Sequence, residues 1–230
     1  MFYAVIAAGG SGNRMGAEIP KQYLSVADKP IIVHTVGKFL DCDKFRKIIV
    51  LCPEEWCNFT NKLIWEHFNN DKIVVIKGGK ERNETIINAI RYIEEIGELD
   101  KDTVIVTHDA VRPFVTQNII KEHLVKSKIY DAIGTAIPAT DTIIESFDGI
   151  TVSCTPDRSK LYQCQTPQTF KALKLKNLYE NLPPETKALL TDSCSIFTAS
   201  DEKVFFIKGD VQNIKITYPH DLKVAEAILR

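Results

Sequence analysis

Short apolar segments alternate with amphipathic ones along much of this chain, and this alternation constrains the fold most strongly. The apolar runs read FYAVIAA, KIIVLC, KIVVIK, TVIVTH and DAIGTAIP. The intervening segments IIVHTVGKFL, EEWCNFTNKLIWEHF and NETIINAIRYIEEI repeat apolar residues every three or four positions, as one buried helix face requires. Strands buried on both faces are apolar throughout, so the pattern predicts an α/β fold with a parallel sheet covered by helices. Asn83 is expected to cap the third helix.

The pattern changes after Pro138. Two short β-rich pieces, TIIESF and ITVSC, flank Asp148-Gly149, a dipeptide typical of hairpin turns. They predict a β-arm over about residues 138–160 that leaves the main sheet. Helical stretches, a strand at KVFFIK, an exposed turn, a strand at NIKIT and a closing helix near Pro219 are expected to follow. We therefore expect residues 1–230 to form a single domain with one excursion.

Composition excludes several classes of protein. The chain has 230 residues, 44% of them hydrophobic, and a formal net charge of -1, which suits one sizeable core and shows no sign of disorder. A charge near zero argues against a protein that coats nucleic acid by bulk attraction. Any anion site must therefore come from a local cluster of basic residues.

The first residues and the cysteines indicate the compartment. The N-terminal apolar run is too short to span a bilayer and lacks the basic start of a signal peptide. The six cysteines are scattered without a CxxC pair, so we expect reduced core thiols. A cytoplasmic location without membrane association is the resulting expectation.

A glycine-rich loop, GGSGNRMG over residues 9–16, follows the first predicted strand. Ligands bind at the carboxyl edge of open α/β sheets, and glycines let backbone N–H groups approach phosphate oxygens. Arg14 and Lys21 add positive charge, so the segment predicts a triphosphate site. The alternative is a glycine turn with two solvated cations.

The glycine spacing disfavours two competing signatures. Gly10-x-Gly12 is followed by three residues before Gly16, not two, and GxxxxGK[ST] is absent from the sequence. A dinucleotide-binding oxidoreductase and a Walker-type nucleotidase are therefore both disfavoured.

Two further loops follow predicted strands. THDAVRPF, residues 107–114, places Asp109 at the sheet edge, where one carboxylate suffices for Mg²⁺ because this ion retains phosphate oxygens and waters as ligands. Alternatively, Asp109 caps the following turn or pairs with Arg112.

GGKERNET, residues 78–85, leads into a helix whose free N–H groups can meet an anion or a base edge. Its alternative is a simple glycine turn and N-cap.

Five motifs resemble, in the same order, those of the sugar nucleotidyltransferases, and specifically the branch of methylerythritol phosphate and ribitol 5-phosphate cytidylyltransferases. They are AAGGSGNRMGAEIPKQYL, GGKERNET, THDAVRPF, the arm with its QTPQ stretch, and NIKIT. The resemblance runs from Ala7 to the terminal helix. It implies a Rossmann-like, mostly parallel sheet flanked by helices, the nucleotidyltransferase fold, with a protruding β-arm. It also implies an enzyme that uses CTP and Mg²⁺ to transfer CMP onto a small polyol phosphate.

The resemblance also implies roles for individual residues. Catalytic roles in stabilising the α-phosphorus and contacting the reacting phosphate fall on Arg14, Lys21 and Lys215. The resemblance assigns nucleotide binding to Ala8, Gly9, Gly10, Gly12, Gly79, Arg82 and Thr85, and metal binding to Asp109. It assigns binding of the acceptor phosphate to Thr142, Arg158 and Thr166. Without the family, these last three are ordinary loop residues and Lys215 is an edge-strand cation.

The reaction requires no general base. The acceptor is a phosphate monoester whose second pKa is about 6, so near neutral pH its oxygen is already an anionic nucleophile. His108 is therefore expected to be structural. The chemistry needs alignment of two anions and neutralisation of charge on the transferring phosphate.

The acceptor is inferred from resemblance alone. THDAVRPF, LYQCQTPQTF and LLTDSCSIF look more like the ribitol branch, although Cys164 stands where that branch commonly has Gly. We expect CDP-ribitol synthesis for teichoic acid and cell wall biogenesis, with a functional link to a reductase that makes ribitol 5-phosphate. The alternative acceptor is 2-C-methyl-D-erythritol 4-phosphate of isoprenoid biosynthesis. A non-catalytic nucleotide-binding regulator is a further alternative, disfavoured because Lys21, Asp109 and Lys215 are present.

The family's arms swap across a homodimer. The resemblance therefore implies a homodimer formed through the β-arm. Thr142 is expected to serve either its own site or that of the partner.

Overall fold

The computed structural model describes residues 1–10, 15–16 and 19–229 and contains a seven-stranded sheet. The strands are β1 (Phe2–Ala7), β2 (Ser25–Val26), β3 (Lys29–Pro30), β4 (Lys47–Cys52), β5 (Ile73–Lys77), β6 (Val104–Asp109), β7 (Ala132–Pro138), β8 (Tyr162–Lys171) and β9 (Phe205–Lys208). The helices are α1 (Ile31–Leu40), α2 (Cys57–Phe68), α3 (Arg82–Glu95), α4 (Gln117–Lys126), α5 (Ala172–Asn181), α6 (Pro184–Lys187), α7 (Cys194–Thr198) and α8 (Pro219–Leu229).

The main sheet has the order β5-β4-β1-β6-β8-β7-β9. Neighbouring strands from β5 to β6 are parallel, β8 is antiparallel to both β6 and β7, and β9 is parallel to β7. All five predicted apolar runs form strands of this sheet, which confirms the predicted mostly parallel α/β fold. The short strands β2 and β3 pair separately.

Apolar side chains pack on both faces of the sheet. Ala4 and Ile6 of β1 belong to a buried cluster under α1, α2 and α4. Tyr3 and Val5 belong to a second cluster under α3, α5 and α7. Successive strand residues point to opposite faces, so helices on both sides explain why β1 is apolar at every position.

Strand β8 was not predicted from the sequence. It reads YQCQTPQTFK, and its polar residues Gln165, Thr166, Gln168 and Thr169 are nevertheless buried. Their side chains bond to groups of other segments, as when the Thr169 hydroxyl meets His123 Nδ1 at 2.8 Å. Hydropathy does not reveal a strand whose buried side chains are satisfied by hydrogen bonds.

The expected cap of α3 was wrong. The N-cap position is Glu81, without a side-chain cap bond, and Asn83 lies inside the first turn. The Asn83 side chain is buried, and its Oδ1 accepts a hydrogen bond from Ser193 Oγ at 3.0 Å. A tertiary partner therefore takes the oxygen that would have capped the helix.

The arm contains much less β-structure than its sequence predicts. Its turn is present, since Gly149 has φ +71° and the Asp148 carboxylate accepts bonds from the N–H groups of Ile150 and Thr151. However, only one isolated bridge, Glu145 to Cys154, joins its two sides. Apolar side chains of the arm are exposed beside the described residues, as Phe147 is at 87%, so they add little support to a two-stranded hairpin.

Two other sequence expectations were wrong. NIKIT is not a strand but part of a loop between β9 and α8, although α8 does begin at Pro219 as predicted. The six cysteines are free thiols, but Cys154 and Cys164 are exposed because they lie on the arm and at the outer end of β8.

Within the described ranges, the helices are all too short or too polar to cross a bilayer.

Candidate active site

A cleft of about 440 Å³ opens where β1 and β6 end and the loop after β5 begins. Residues 7–10, 21–22, 79–82, 85, 109–111, 215 and 217 line it. It thus brings together the following predicted residues: Ala8, Gly9, Gly10, Lys21, Gly79, Arg82, Thr85, Asp109 and Lys215. Predicted residues Gly12 and Arg14 lie outside the described part of the chain.

The three predicted acceptor residues are placed differently. Thr166 is buried, and its hydroxyl accepts the backbone N–H of Asp109 at 3.1 Å, so it adjoins the cleft from β8. Thr142 and Arg158 are exposed on the arm and are not among the lining residues. The Arg158 guanidinium donates to the Thr140 carbonyl at 2.9 Å. The assignment of Thr142 and Arg158 remains a prediction.

Asp109 is the centre of a compact ion-pair cluster. Its Oδ1 pairs with the Arg82 guanidinium, while its Oδ2 lies 3.1 Å from Lys215 Nζ and 3.3 Å from Arg112 Nε. The carboxylate is almost fully buried at the end of β6. The three cations come from separate segments, namely α3, the turn after β6 and the loop before α8.

The cluster keeps Asp109 ionised. Burial by itself raises the pKa of this carboxyl, but the charges of Arg82, Lys215 and Arg112 together outweigh it and hold the pKa well below its usual range. Asp109 therefore stays a carboxylate throughout the neutral range. It can anchor cations but cannot act as a general acid there.

The cleft carries an excess of positive charge. Its described lining includes the basic side chains Lys21, Lys80, Arg82 and Lys215 and the acidic side chains Glu81 and Asp109. A concave site with a surplus of cations attracts polyanions and strengthens hydrogen bonds to phosphate oxygens. The arrangement suits a nucleoside triphosphate.

Lys21 is held against the cleft by a short 3₁₀ turn, Lys21–Tyr23. Gln22 Nε2 donates to the carbonyl of Ala8 at 2.7 Å, which ties the turn to the end of β1. Lys21 is buried, and its Nζ donates to the carbonyl of Ile216 at 3.0 Å. These bonds fix the position of Lys21 between the first glycine segment and the loop that carries Lys215.

The second glycine loop is shaped by its own side chains. Thr85 Oγ1 accepts the N–H of Gly79 at 3.0 Å and donates to the carbonyl of Glu81 at 2.9 Å, while Lys80 N donates to Glu84 Oε2 at 2.7 Å. A Cβ on Gly79 would lie 2.6 Å from Glu84 Cβ and 2.8 Å from its backbone carbon. This closeness requires glycine at position 79 and holds the loop open toward the cleft.

Arg112 was not among the predicted site residues. Besides its contact with Asp109, its NH1 donates to the carbonyl of Asn213 at 2.8 Å. The spacing of three residues between Asp109 and Arg112 indicated an ion pair in the sequence. It did not indicate that this ion pair belongs to the active site. Burial lowers the pKa of Arg112, although the Asp109 charge opposes that change.

His108 points away from the cleft. Its ring is fully buried beside Phe39, and Nε2 is 3.0 Å from the carbonyl of Arg112. Burial lowers its pKa to about 4, so the imidazole is neutral near pH 7. This environment agrees with the structural role expected for it.

The residues present fit a divalent cation by donor chemistry. No group of three or more His, Cys, Asp or Glu that could hold a metal occurs among residues 1–10, 15–16 and 19–229. Mg²⁺ nevertheless needs only one or two protein carboxylates when phosphate oxygens and waters complete its shell. Asp109 would be that carboxylate.

A mostly parallel sheet with a cationic, glycine-lined cleft at its carboxyl edge is the arrangement expected of a nucleotidyltransferase. The family model for IspD, 2-C-methyl-D-erythritol 4-phosphate cytidylyltransferase, matches residues 2–230. The chain belongs to this family and is a cytidylyltransferase. The family uses CTP and typically a divalent metal ion.

Solved structures agree with this assignment. The 4-diphosphocytidyl-2C-methyl-D-erythritol synthase from Anaerococcus prevotii is 26% identical with a TM-score of 0.82, and the match covers 100% of this chain and 96% of that one. The 2-C-methyl-D-erythritol 4-phosphate cytidylyltransferase from Francisella tularensis is 31% identical with a TM-score of 0.81, covering 98% of each chain. Both names refer to methylerythritol, the first to its diphosphocytidyl derivative and the second to its 4-phosphate, and neither mentions ribitol phosphate.

Proposed function

We propose that this enzyme transfers CMP from CTP to 2-C-methyl-D-erythritol 4-phosphate and releases pyrophosphate. The observation that carries the proposal is the cluster of Arg82, Lys215 and Arg112 on Asp109, beside Lys21, in a glycine-lined cleft. The family model and the two solved structures favour this acceptor over ribitol 5-phosphate. Methylerythritol was the alternative acceptor in the sequence analysis, and it now has the stronger support.

The chemistry is an in-line displacement at the α-phosphorus of CTP. An oxygen of the acceptor phosphate forms the new bond, and the bond to the bridging oxygen of the β-phosphate breaks, so that pyrophosphate leaves with the electron pair. With a second pKa of about 6, the acceptor needs no proton removed near neutral pH. His108 is buried and neutral, and the lowered pKa of Asp109 makes it a poor proton acceptor, as expected of a site that lacks a general base.

Charge neutralisation then falls on the cations of the cleft. Lys21, Arg82 and Lys215 all line it, and we assign them to the phosphate oxygens of the substrates. Arg14 is assigned the same role from the family motif. A divalent ion held by Asp109 would add further positive charge at the triphosphate. Preorganised charges of this kind stabilise a developing anion without reorganisation during the reaction.

The acceptor phosphate is assigned to Thr142, Arg158 and Thr166. Thr166 adjoins Asp109. Thr142 and Arg158 lie on the exposed arm, and we propose that the arm reaches the cleft of a second copy in a homodimer. The exposed apolar side chains of Ile144, Phe147 and Ile150 support an arm that is covered by another chain.

Ribitol 5-phosphate is the second candidate acceptor. It is favoured by the segments THDAVRPF and LLTDSCSIF, which resemble the ribitol branch. A role in teichoic acid and cell wall biogenesis, and a link to a reductase, depend on this acceptor.

A pyrophosphate-release assay with CTP and each acceptor in parallel tests the proposal. We expect a higher kcat/KM with 2-C-methyl-D-erythritol 4-phosphate, and much weaker release when UTP or ATP replaces CTP. A higher kcat/KM with ribitol 5-phosphate would establish the second candidate instead. Absence of release with both acceptors, in a preparation that binds CTP, would favour a nucleotide-binding regulator.

A further inference from the structure

The loop over residues 209–217 carries Lys215 but has no regular secondary structure of its own. It connects β9 to α8 and contacts β8 through the side chain of Gln165. On the carboxyl side of Lys215, the loop backbone is held by Ile216, whose N–H donates to the carbonyl of Val111 at 2.9 Å. On the amino side, it is held by bonds from Gln165 of β8.

Both ends of the Gln165 amide are engaged with this loop. Its Nε2 donates to the carbonyl of Asp210 at 2.8 Å, and its Oε1 accepts the backbone N–H of Asp210 at 3.3 Å. The same Oε1 accepts from Asn213 Nδ2 at 3.2 Å. Because Gln165 is itself buried on a central part of the sheet, the loop is attached to a rigid element.

Asn213 extends this attachment toward the site. Its Nδ2 also donates to the carbonyl of Thr166 at 2.8 Å, and its own carbonyl accepts from Arg112. Lys215 follows two residues later, with Nζ 3.1 Å from Asp109 Oδ2. Two residues span at most about 7 Å, so the position of the backbone at Asn213 limits where the Lys215 ammonium can reach.

Gly209 lies directly against the Gln165 amide. A Cβ built on Gly209 would overlap Gln165 Oε1 and would lie 3.0 Å from Thr135 Cγ2 and 3.1 Å from Ile137 Cγ2. The first residue of the loop therefore has room only for glycine while the Gln165 amide is in place.

We propose that Gln165 is a positioning residue for Lys215: its amide holds residues 210–213 so that the Lys215 ammonium stays at Asp109 in the cleft. The inference rests on the proposed function, in which Lys215 contacts the reacting phosphate. Displacement of a catalytic group by about 1 Å can cost about 100-fold in rate, so loss of these bonds should reduce turnover.

The test compares Gln165→Met, which keeps the length of the side chain but removes its hydrogen bonds, with Gln163→Met. Gln163 lies on the same strand but is exposed. We expect Gln165→Met to lower kcat by about 10- to 100-fold while the KM for CTP changes by less than about threefold. Gln163→Met should match the unmodified enzyme. Unchanged kcat in Gln165→Met would overturn the inference.

A double-mutant cycle with Lys215→Ala separates positioning from a general structural effect. If Gln165 acts through Lys215, Gln165→Met should cost nothing further once Lys215 is removed, whereas independent effects multiply. The same fold loss from Gln165→Met in both backgrounds would overturn the inference. If Lys215→Ala loses turnover but Gln165→Met does not, the positioning role of Gln165 is overturned and the role of Lys215 stands. If Lys215→Ala keeps full turnover, the proposed role of Lys215 is overturned as well.

Gly209→Ala provides the second variant if turnover of Lys215→Ala falls below detection. The new methyl group displaces the Gln165 amide, so we expect a kcat loss similar to that of Gln165→Met. The variant carrying both changes should lose no more than either single variant. Multiplicative losses would contradict the inference.

Discussion

At the scale of single residues, Asp109 organises the site. It is a buried carboxylate whose two oxygens hold Arg82, Lys215 and Arg112, and these cations come from separate parts of the chain. The sequence identified Asp109, Arg82 and Lys215 through the family motifs. It did not show that the three meet, because the spacing of residues along a chain carries no information on ion pairs between distant segments.

We expect Asp109→Asn to lower the free energy of unfolding by about 3–5 kcal/mol near pH 7, because three clustered cations lose their buried counter-charge. The folded-state pKa of Asp109 lies below its unfolded value of about 3.9. Its contribution is therefore complete above about pH 4 and is lost as the pH falls through the folded-state pKa. Thermal unfolding at pH 7, 5 and 3 should show the Tm difference between the two proteins shrinking at pH 3.

The exposed Asp43 offers a matched control for this experiment. Asp43→Asn should have nearly the same Tm as the unmodified protein at each pH. A Tm difference for Asp109→Asn that is equal at pH 7 and pH 3 would contradict the assigned ion pairs.

Lys21→Ala is expected to reduce kcat by about 100- to 1,000-fold, the usual cost of removing one group that stabilises a developing oxyanion. The fold should persist, which far-UV circular dichroism checks. Lys62→Ala, an exposed site on α2, should retain normal turnover. Near-normal pyrophosphate release by Lys21→Ala would refute its catalytic role.

At the scale of elements, strands with continuous apolar sequence were predictable and strands with polar buried residues were not. The runs of β1, β4, β5, β6 and β7 are all strands, whereas β8 went unrecognised and NIKIT proved to be a loop. In both failures, side-chain hydrogen bonds from Gln165, Asn213 and Thr166 decide the local structure. Such bonds depend on partners that only the tertiary structure supplies.

Two glycines offer a matched comparison at this scale. Gly79→Ala should force the second glycine loop to shift, because its Cβ would collide with Glu84, and we expect a rise of about tenfold or more in the KM for CTP. Gly37 lies inside α1, where a Cβ would be 3.7 Å from the Phe68 ring, an ordinary contact.

Gly37→Ala should therefore leave the KM for CTP unchanged and add about 0.5–1 kcal/mol of stability through helix propensity. Steady-state kinetics and thermal unfolding of both variants make the comparison. Equal KM values for Gly79→Ala and the unmodified enzyme would show that the loop tolerates a side chain and does not shape the nucleotide site.

At the scale of the whole molecule, the arm has apolar side chains that the described part of this chain leaves exposed. Phe147 and Ile150 are 87% and 88% exposed, and the two sides of the arm are joined by one isolated β-bridge and by the Arg158–Thr140 hydrogen bond. A homodimer that buries these side chains would complete both the arm and the acceptor site.

We expect the unmodified protein to be a dimer by light scattering, and Phe147→Ser with Ile150→Ser to raise the dimer Kd by about tenfold or more, as removal of apolar anchors does. Turnover with the acceptor should fall, whereas CTP binding should persist. Leu189→Ser, an equally exposed site outside the arm, serves as control. A fully active monomer would contradict the dimer.

The sequence by itself determined the α/β class, the sheet edge where the cleft lies and the family motifs, because apolar periodicity and glycine loops are local features. Only the tertiary structure decided that Asp109 also joins Arg82 and Lys215, and that Gln165 holds the loop of Lys215. These contacts depend on strand order and on β8 lying between β6 and β7. They form only when segments far apart in the chain pack together, which local sequence patterns do not encode.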